Sequence, residues 1–446
     1  MSPVVQSFFL PPGGLSFQLS RFYPILEGEL KKGDRKMRDI YLFLRRMAGF
    51  LGLLFGGKKA WEARKELKKL DTAQWSRRII SDGILLNEIP SPTEDEHLRM
   101  KFISKRLEEF GISNVFSDEW GNVLALFPAF GSRQDFMLLV AEVGDCDYSP
   151  LENSVQITRE LASGQNLGER SIGAASLLVF AEFAQATGFH LEKNLMVLFT
   201  RSSSVDERED AFRHFLGSWA DRISCAILVH GTKLGVLETK PMGTYRLSIN
   251  VKSQERELLS PNAGPSAASI MGNIASRLGD ITWDGPQKAM VNIARMEAGD
   301  GFGHWATQGE MDIEIISDDD KTLESIKHSV VETIESASEG LKYKIESLIR
   351  FRRSVGDPRR NAPLIDTLRT ALEKVQIKTE EGLVSDKISL LNEKGIPAVC
   401  VGMTKATGNQ NRDEIELGLI DSGFRQLLLV IEGGSRALEP VKEGQQ

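Results

Sequence analysis

Two hydrophobic rhythms alternate along the chain. Runs that are apolar throughout, "NVLALFPAF" (122–130), "DFMLLVAEV" (135–143), "NLMVLFTRS" (194–202) and "CAILVHG" (225–231), predict strands covered on both faces. A strand with one face in water would instead carry a polar residue at every second position. The segments "TAQWSRRIISDGILLNEI" (72–89), "EDEHLRMKFISKRLEEFG" (94–111) and "IGAASLLVFAEFAQATG" (172–188) read as helices, the second closing on Gly111. Helices interleaved with such strands are the pattern of an α/β domain.

The second rhythm begins near Met242. "MGTYRLSINVKS" (242–253) alternates like a half-exposed strand, and "PSAASIMGNIASRLG" (265–279) is helical. "KAMVNIARMEAG" (288–299) and "EMDIEIIS" (310–317) are strands, followed by the long polar helix "KTLESIKHSVVETIESASEG" (321–340). The order β-α-β-β-α-β describes a small α+β unit with one open sheet face. Past "RSVGDPRR" (353–360) the first rhythm returns in "SDKISLLNEKGIPAVCVGM" (385–403) and a closing helix "SGFRQLLLVIEG" (422–433). The expected architecture is an α/β domain with a mixed central sheet, made of residues 72–242 and 349–446, with an α+β lid at 243–348 inserted into it.

A length of 446 residues suits two domains and an extension. With 41% hydrophobic and 26% charged residues, neither disorder nor a fibrous fold is indicated. Cys146, Cys225 and Cys400 are widely spaced and form no CxxC pair, which argues against a disulfide framework or zinc knuckle and fits a reducing cytoplasm. The net charge of −7 hides a basic segment, since residues 31–70 hold 13 Lys or Arg against 4 Asp or Glu. Within it, "YLFLRRMAGFLGLLFGG" (41–57) has an apolar core far shorter than the ~20 residues that span a bilayer. It also lacks the small-residue cleavage site of a signal peptide. Residues 38–70 therefore read as an amphipathic arm in the extension 1–71, with two uses open: docking against this chain or another subunit, or lying on an anionic membrane surface. Aliphatic residues interleave the basic ones as often as aromatic ones do, so no nucleic-acid partner is expected.

Several stretches carry a resemblance: "IPSPTEDE" (89–96), "DEWGNVLALFP" (118–128), "LLVAEVGD" (138–145), "VLFTRSSSV" (197–205) and above all "SDKISLLNEKGIPAVCVG" (385–402). Over roughly residues 72–440 the chain resembles the dinuclear zinc exopeptidases of the aminoacylase, glutamate carboxypeptidase, succinyl-diaminopimelate desuccinylase and tripeptidase T type. Tetrahedral aminopeptidases share the metal motifs but insert their second domain between the first two. Only 26 residues separate Glu142 from Glu169 here, which favours the exopeptidase layout. The resemblance implies two zinc ions bridged by an Asp, with a Glu as general base.

Carried over residue by residue, the site positions are altered. The A-H-x-D strand end falls on Ala141-Glu142-Val143-Gly144, and the bridging Asp falls on Glu169, with Arg170 beside it. The catalytic Glu-Glu pair falls on Ser203 and Ser204, the next acidic ligand on His230, and the final His on Gln410. A serine at the base position with no His partner cannot act as the base, and no G-x-S-x-G elbow offers a serine-hydrolase alternative. Slippage in the loops could bring Asp145, Asp147 or the pair Asp206-Glu207 into the vacant places. Glu142, Glu169 and His230 fall on the positions of one zinc and are able ligands for a single zinc or manganese ion; against this, Arg170 and Arg201 place cations where metals would sit. Arg170, Arg201 and His304, in "GDGFGH" (299–304), are candidate contacts for an anionic ligand.

Three functions follow as expectations: a catalytically inactive homologue serving as subunit, scaffold or ligand-binding module, with no cofactor; a metal-dependent peptidase or amidohydrolase with an altered, mononuclear site; or a membrane-surface adaptor. The first is preferred. A homo-oligomer, or membership of a larger complex, and a cytoplasmic location that is peripheral to the membrane if the arm binds lipid, complete the expectations.

Overall fold

The apolar runs fold as the central strands of a sheet, and their chemistry dictates it. Phe136–Glu142 buries every residue after Phe136, and Asn194–Thr200 every residue after Asn194. A computed structural model describes residues 72–92, 95–129, 135–144, 154–189, 191, 193–201, 210–252, 264–299, 301–338, 344–373, 379–384, 387–409 and 412–436. The readings made on residues 1–71, Asp145, Asp147, Ser203, Ser204, Asp206, Glu207 and Gln410 lie outside the described residues.

In chain order the strands are β1 (Val115–Ser117), β2 (Val123–Phe127), β3 (Phe136–Glu142), β4 (Gln156–Ile157), β5 (Leu161–Gly164), β6 (Asn194–Thr200), β7 (Ile223–His230), β8 (Val236–Pro241), β9 (Gly243–Lys252), β10 (Ala289–Ala298), β11 (Gln308–Ser317), β12 (Lys344–Arg353), β13 (Glu380–Val384), β14 (Ala398–Gly402), β15 (Ala406–Asn409) and β16 (Arg412–Glu416). Eight of them form the main sheet in the order β1-β2-β6-β3-β7-β14-β8-β13. The sheet is mixed: β6, β3, β7 and β14 run parallel, while β2 and β8 pair antiparallel with β6 and β14.

Both faces of this sheet are covered. On one, helix Gly173–Thr187 buries Leu177, Leu178, Val179 and Phe180, residues that point in all directions around its axis. It must therefore pack on two sides, against the sheet and against outer helices, and Phe183 meets Phe424 of helix Ile420–Arg436 edge-on at 5.8 Å. On the other face, Leu138, Val140, Leu198, Leu228 and Cys400 pack with Phe212 and Phe215 of helix Asp210–Trp219 and with Ile388 and Leu391 of helix Ile388–Glu393.

Strand β9 pairs with β11 and β12, in a four-stranded sheet of order β10-β11-β9-β12. Helices Ala267–Leu278 and Asp320–Ser338 cover one face of it through Ile270, Ile274, Ile326 and Val330. Met290, Met296, Leu348 and Ile349, on β10 and β12, are exposed. A third sheet of short strands, β15-β16-β5-β4, stands beside the Leu167–Ile172 turn. Among the described residues no helix is long and apolar enough to cross a membrane.

Candidate functional site around the ends of β3 and β7

Glu142 ends β3 and His230 ends β7. Val140 stands opposite Leu228 in the register of these neighbouring strands, so both side chains, two residues further on, lie on one face and in one row. Opposite them comes the turn Leu167–Ile172, a single π-helical turn that opens helix Gly173–Thr187 and carries Glu169 and Arg170. The turn approaches β7 closely: a Cβ on Gly231 would stand 1.7 Å from the carbonyl oxygen of Gly168. Gly231 is thus what lets Glu169 reach His230. Such π-turns are frequent at functional sites.

The Glu142 side chain is 7% exposed, and a cation meets each of its oxygens. Arg170 Nη1 donates to Oε2 and Lys387 Nζ donates to Oε1. Lys387 is itself buried, with its ammonium 5.9 Å from the centre of the Phe212 ring. Burial pushes the Lys387 ammonium down to about 7, and the carboxylate against it acts in the opposite sense. Gly144, two residues on, packs against Glu96: an added Cβ would lie 2.6 Å from Cγ of Glu96, whose side chain would have to shift. Glu96 is fully buried and accepts from Arg201 Nε at 2.7 Å. A side chain at position 144, where the resemblance implies an Asp, would displace Glu96 from that ion pair.

The second cluster surrounds His230. Its Nδ1 lies 3.5 Å from Glu169 Oε1 and 3.7 Å from Glu238 Oε2. Thr232 donates to Glu169 Oε2 at 2.9 Å, and Lys233 donates to Glu238 Oε1 at 2.5 Å. Lys233 takes a left-handed backbone, φ 62, in the turn between β7 and β8. Burial opposes ionisation of Glu238, yet His230 and Lys233 facing it hold its carboxyl below the usual range. Asp413 accepts the backbone N–H groups of Gly168 and Glu169, each at 3.1 Å. Burial first, and then the charge of Glu169, pushes Asp413 up.

Of the residues singled out from sequence, the structure brings Glu142 to Arg170 and His230 to Glu169, and it gives Arg201 to Glu96. His304 is exposed in the connection between β10 and β11 and pairs with none of them. Lys387, Glu96, Glu238, Cys400, Thr232 and Asp413 were not singled out. Lys387 and Glu96 do lie inside the quoted stretches "SDKISLL" and "IPSPTEDE", but nothing in those strings marks either as the partner of another motif's residue.

No family model and no curated protein sequence matches the chain. Solved structures do. A tripeptidase from Staphylococcus aureus is 13% identical, with 81% of this chain and 99% of that one covered and a TM-score of 0.62. The aminopeptidase PepT from Bacillus cereus gives 13%, 81%, 99% and 0.61. A dinuclear metal binding peptidase of the M20 family from Bacillus subtilis is 16% identical over 80% of this chain and 98% of that one, with a TM-score of 0.58.

The chain has the fold of the M20 peptidases. The Bacillus subtilis protein binds two metals; in this chain a metal beside Glu142 would meet two cations. Each oxygen of the Glu142 carboxylate faces a cation, and those cations would repel a metal ion placed beside them.

Proposed function

We propose that this chain is a non-catalytic relative of the M20 metallopeptidases, kept as a scaffold, a subunit or a ligand-binding module. The observation that supports it is the Glu142 carboxylate held between Arg170 and Lys387, which puts the Arg170 guanidinium and the Lys387 amine where the fold's enzymes would put metal. The protein charge replaces the electrostatic role of an ion but supplies neither a Lewis acid nor an activated water.

The test is direct. Purified full-length protein, supplied with zinc or manganese, is assayed against dipeptides, N-acyl amino acids and N-carbamoyl amino acids. Turnover at background, unchanged by a chelator, is expected, and chelator-sensitive turnover would overturn the reading. Glu introduced at Ser203 and Ser204 does not restore turnover on this account, because Arg170 and Lys387 still enclose Glu142. A second reading, a metal-dependent peptidase or amidohydrolase with an altered site, is favoured by the fold and by the placing of His230 beside Glu169. It requires that turnover be lost in both His230→Ala and Glu169→Ala.

A further inference from the structure

Strands β7, β14 and β8 are neighbours in the main sheet, and their register puts three metal-binding side chains on one face. Cys400 stands opposite Glu238 across the β14–β8 pair and opposite Leu228 across the β14–β7 pair. His230 is two residues beyond Leu228, hence on the same face one step along. All three side chains are buried, and one donor atom from each lies within 4.8 Å of the other two. They are held by a hydrogen-bonded sheet rather than by loops, so their spacing is fixed by the fold.

We propose that His230, Glu238 and Cys400 bind one thiophilic divalent cation, zinc in the first place, as a structural clamp across β7, β14 and β8. The donor set is an imidazole, a carboxylate and a thiolate, which suits zinc and disfavours magnesium or calcium, whose sites are built of oxygen alone. A tetrahedral centre with bonds of about 2.0–2.3 Å places its ligands roughly 3.3–3.8 Å apart. His230 Nδ1 is already 3.7 Å from Glu238 Oε2. Drawing in the widest pair, at most 4.8 Å apart, needs a movement of about 1 Å.

Glu169 Oε1, 3.5 Å from the same His230 nitrogen, or a water, completes the coordination. The Glu169 side chain is 35% exposed and Lys233 53%, so the cluster has an entry path from solvent. As the metal–sulfur bond forms, the Cys400 thiol proton passes to solvent. The Lys233 ammonium gives up Glu238 Oε1 and swings outward. The site differs from a dinuclear centre at Glu142 and makes no claim on turnover, so it stands or falls separately from the proposed function.

The experiment titrates metal-free full-length protein with cobalt(II), which reports a thiolate ligand through a near-ultraviolet charge-transfer band, and then displaces it with zinc. One equivalent of cobalt with that band, bleached by zinc, is expected. Cys400→Ser loses the band. Cys225→Ser keeps it, because Cys225 lies on the opposite face of β7 from His230, its thiol donating to the Gly434 carbonyl at 3.7 Å. Lys233→Met, which removes the competing ammonium, binds cobalt at least tenfold more tightly. Wild-type protein that takes up no cobalt, or takes it up without the band, overturns the proposal whether or not Cys400→Ser folds, as does a Lys233→Met variant that binds no more tightly than wild type.

Discussion

Exchanging Glu142 for Gln removes the carboxylate that faces both Arg170 and Lys387, while nearly preserving volume. Breaking one partner out of a buried ion pair costs roughly 3–5 kcal/mol, since the remaining charge stays desolvated; the Lys387 side chain is 4% exposed. The pH dependence of this loss has a definite sign. In the wild type burial already takes Lys387 from 10.5 down to about 7, and losing the carboxylate that favours its charged form lowers it further in the variant. Below about 7 the folded wild type regains that proton before the folded variant does, while the two unfolded chains bind it alike, so the variant loses more stability as pH falls. Urea unfolding of Glu142→Gln should therefore show a deficit against wild type that is largest below pH 7 and shrinks as pH rises through 7. A deficit independent of pH would mean that Lys387 is not the group left behind. Sequence alone could show that Glu142 stands where a metal-binding His is usual. That Lys387, 245 positions away, closes over it depends on the way β14 and its preceding helix return to the sheet.

The strands that were legible were β9, β10 and β11 of the second sheet and the uninterrupted apolar ones of the main sheet, because a central strand covered on both faces needs a continuous run of buried side chains. Strand β8 was not. "VLETKP" carries Glu, Lys and Pro, a composition that argues against a strand, yet Val236–Pro241 pairs with both β14 and β13 and buries Glu238. The third sheet, with strands of two to five residues, gives no period to read. The junction of the π-turn with β7 was equally silent, since it rests on backbone proximity. Gly231→Ala tests it: the new methyl would meet the Gly168 carbonyl, Cβ to oxygen 1.7 Å, and neither backbone can yield without moving Glu169 away from His230. Overpacking of this kind typically costs about 1–3 kcal/mol. A lowered midpoint in chemical denaturation, together with weaker cobalt uptake, is expected. Unchanged values for both would show that the turn is not pressed against β7.

At the scale of the whole molecule, each of the two larger sheets has its own cluster of buried apolar residues, drawn from its own strands and helices. The first described helix, Ala73–Glu88, is anchored at its start, where Thr72, fully buried, donates to Asp421 Oδ1 at 2.5 Å. A truncation that removes residues 1–70 and keeps Thr72 should accordingly leave a soluble, cooperatively folding body. What it should lose is whatever the basic, apolar-rich segment 38–70 provides: the full-length chain is expected either to co-sediment with vesicles containing anionic lipid or to self-associate on a sizing column, and the truncated chain to do neither. Salt separates the two cases, because attraction of Lys and Arg to a charged surface weakens over the Debye length of about 8 Å at physiological ionic strength, whereas burial of Leu42, Phe43, Phe50, Leu51, Leu54 and Phe55 against another subunit does not. If removal of residues 1–70 instead makes the body insoluble, the segment belongs to its core, and neither the membrane nor the subunit role stands.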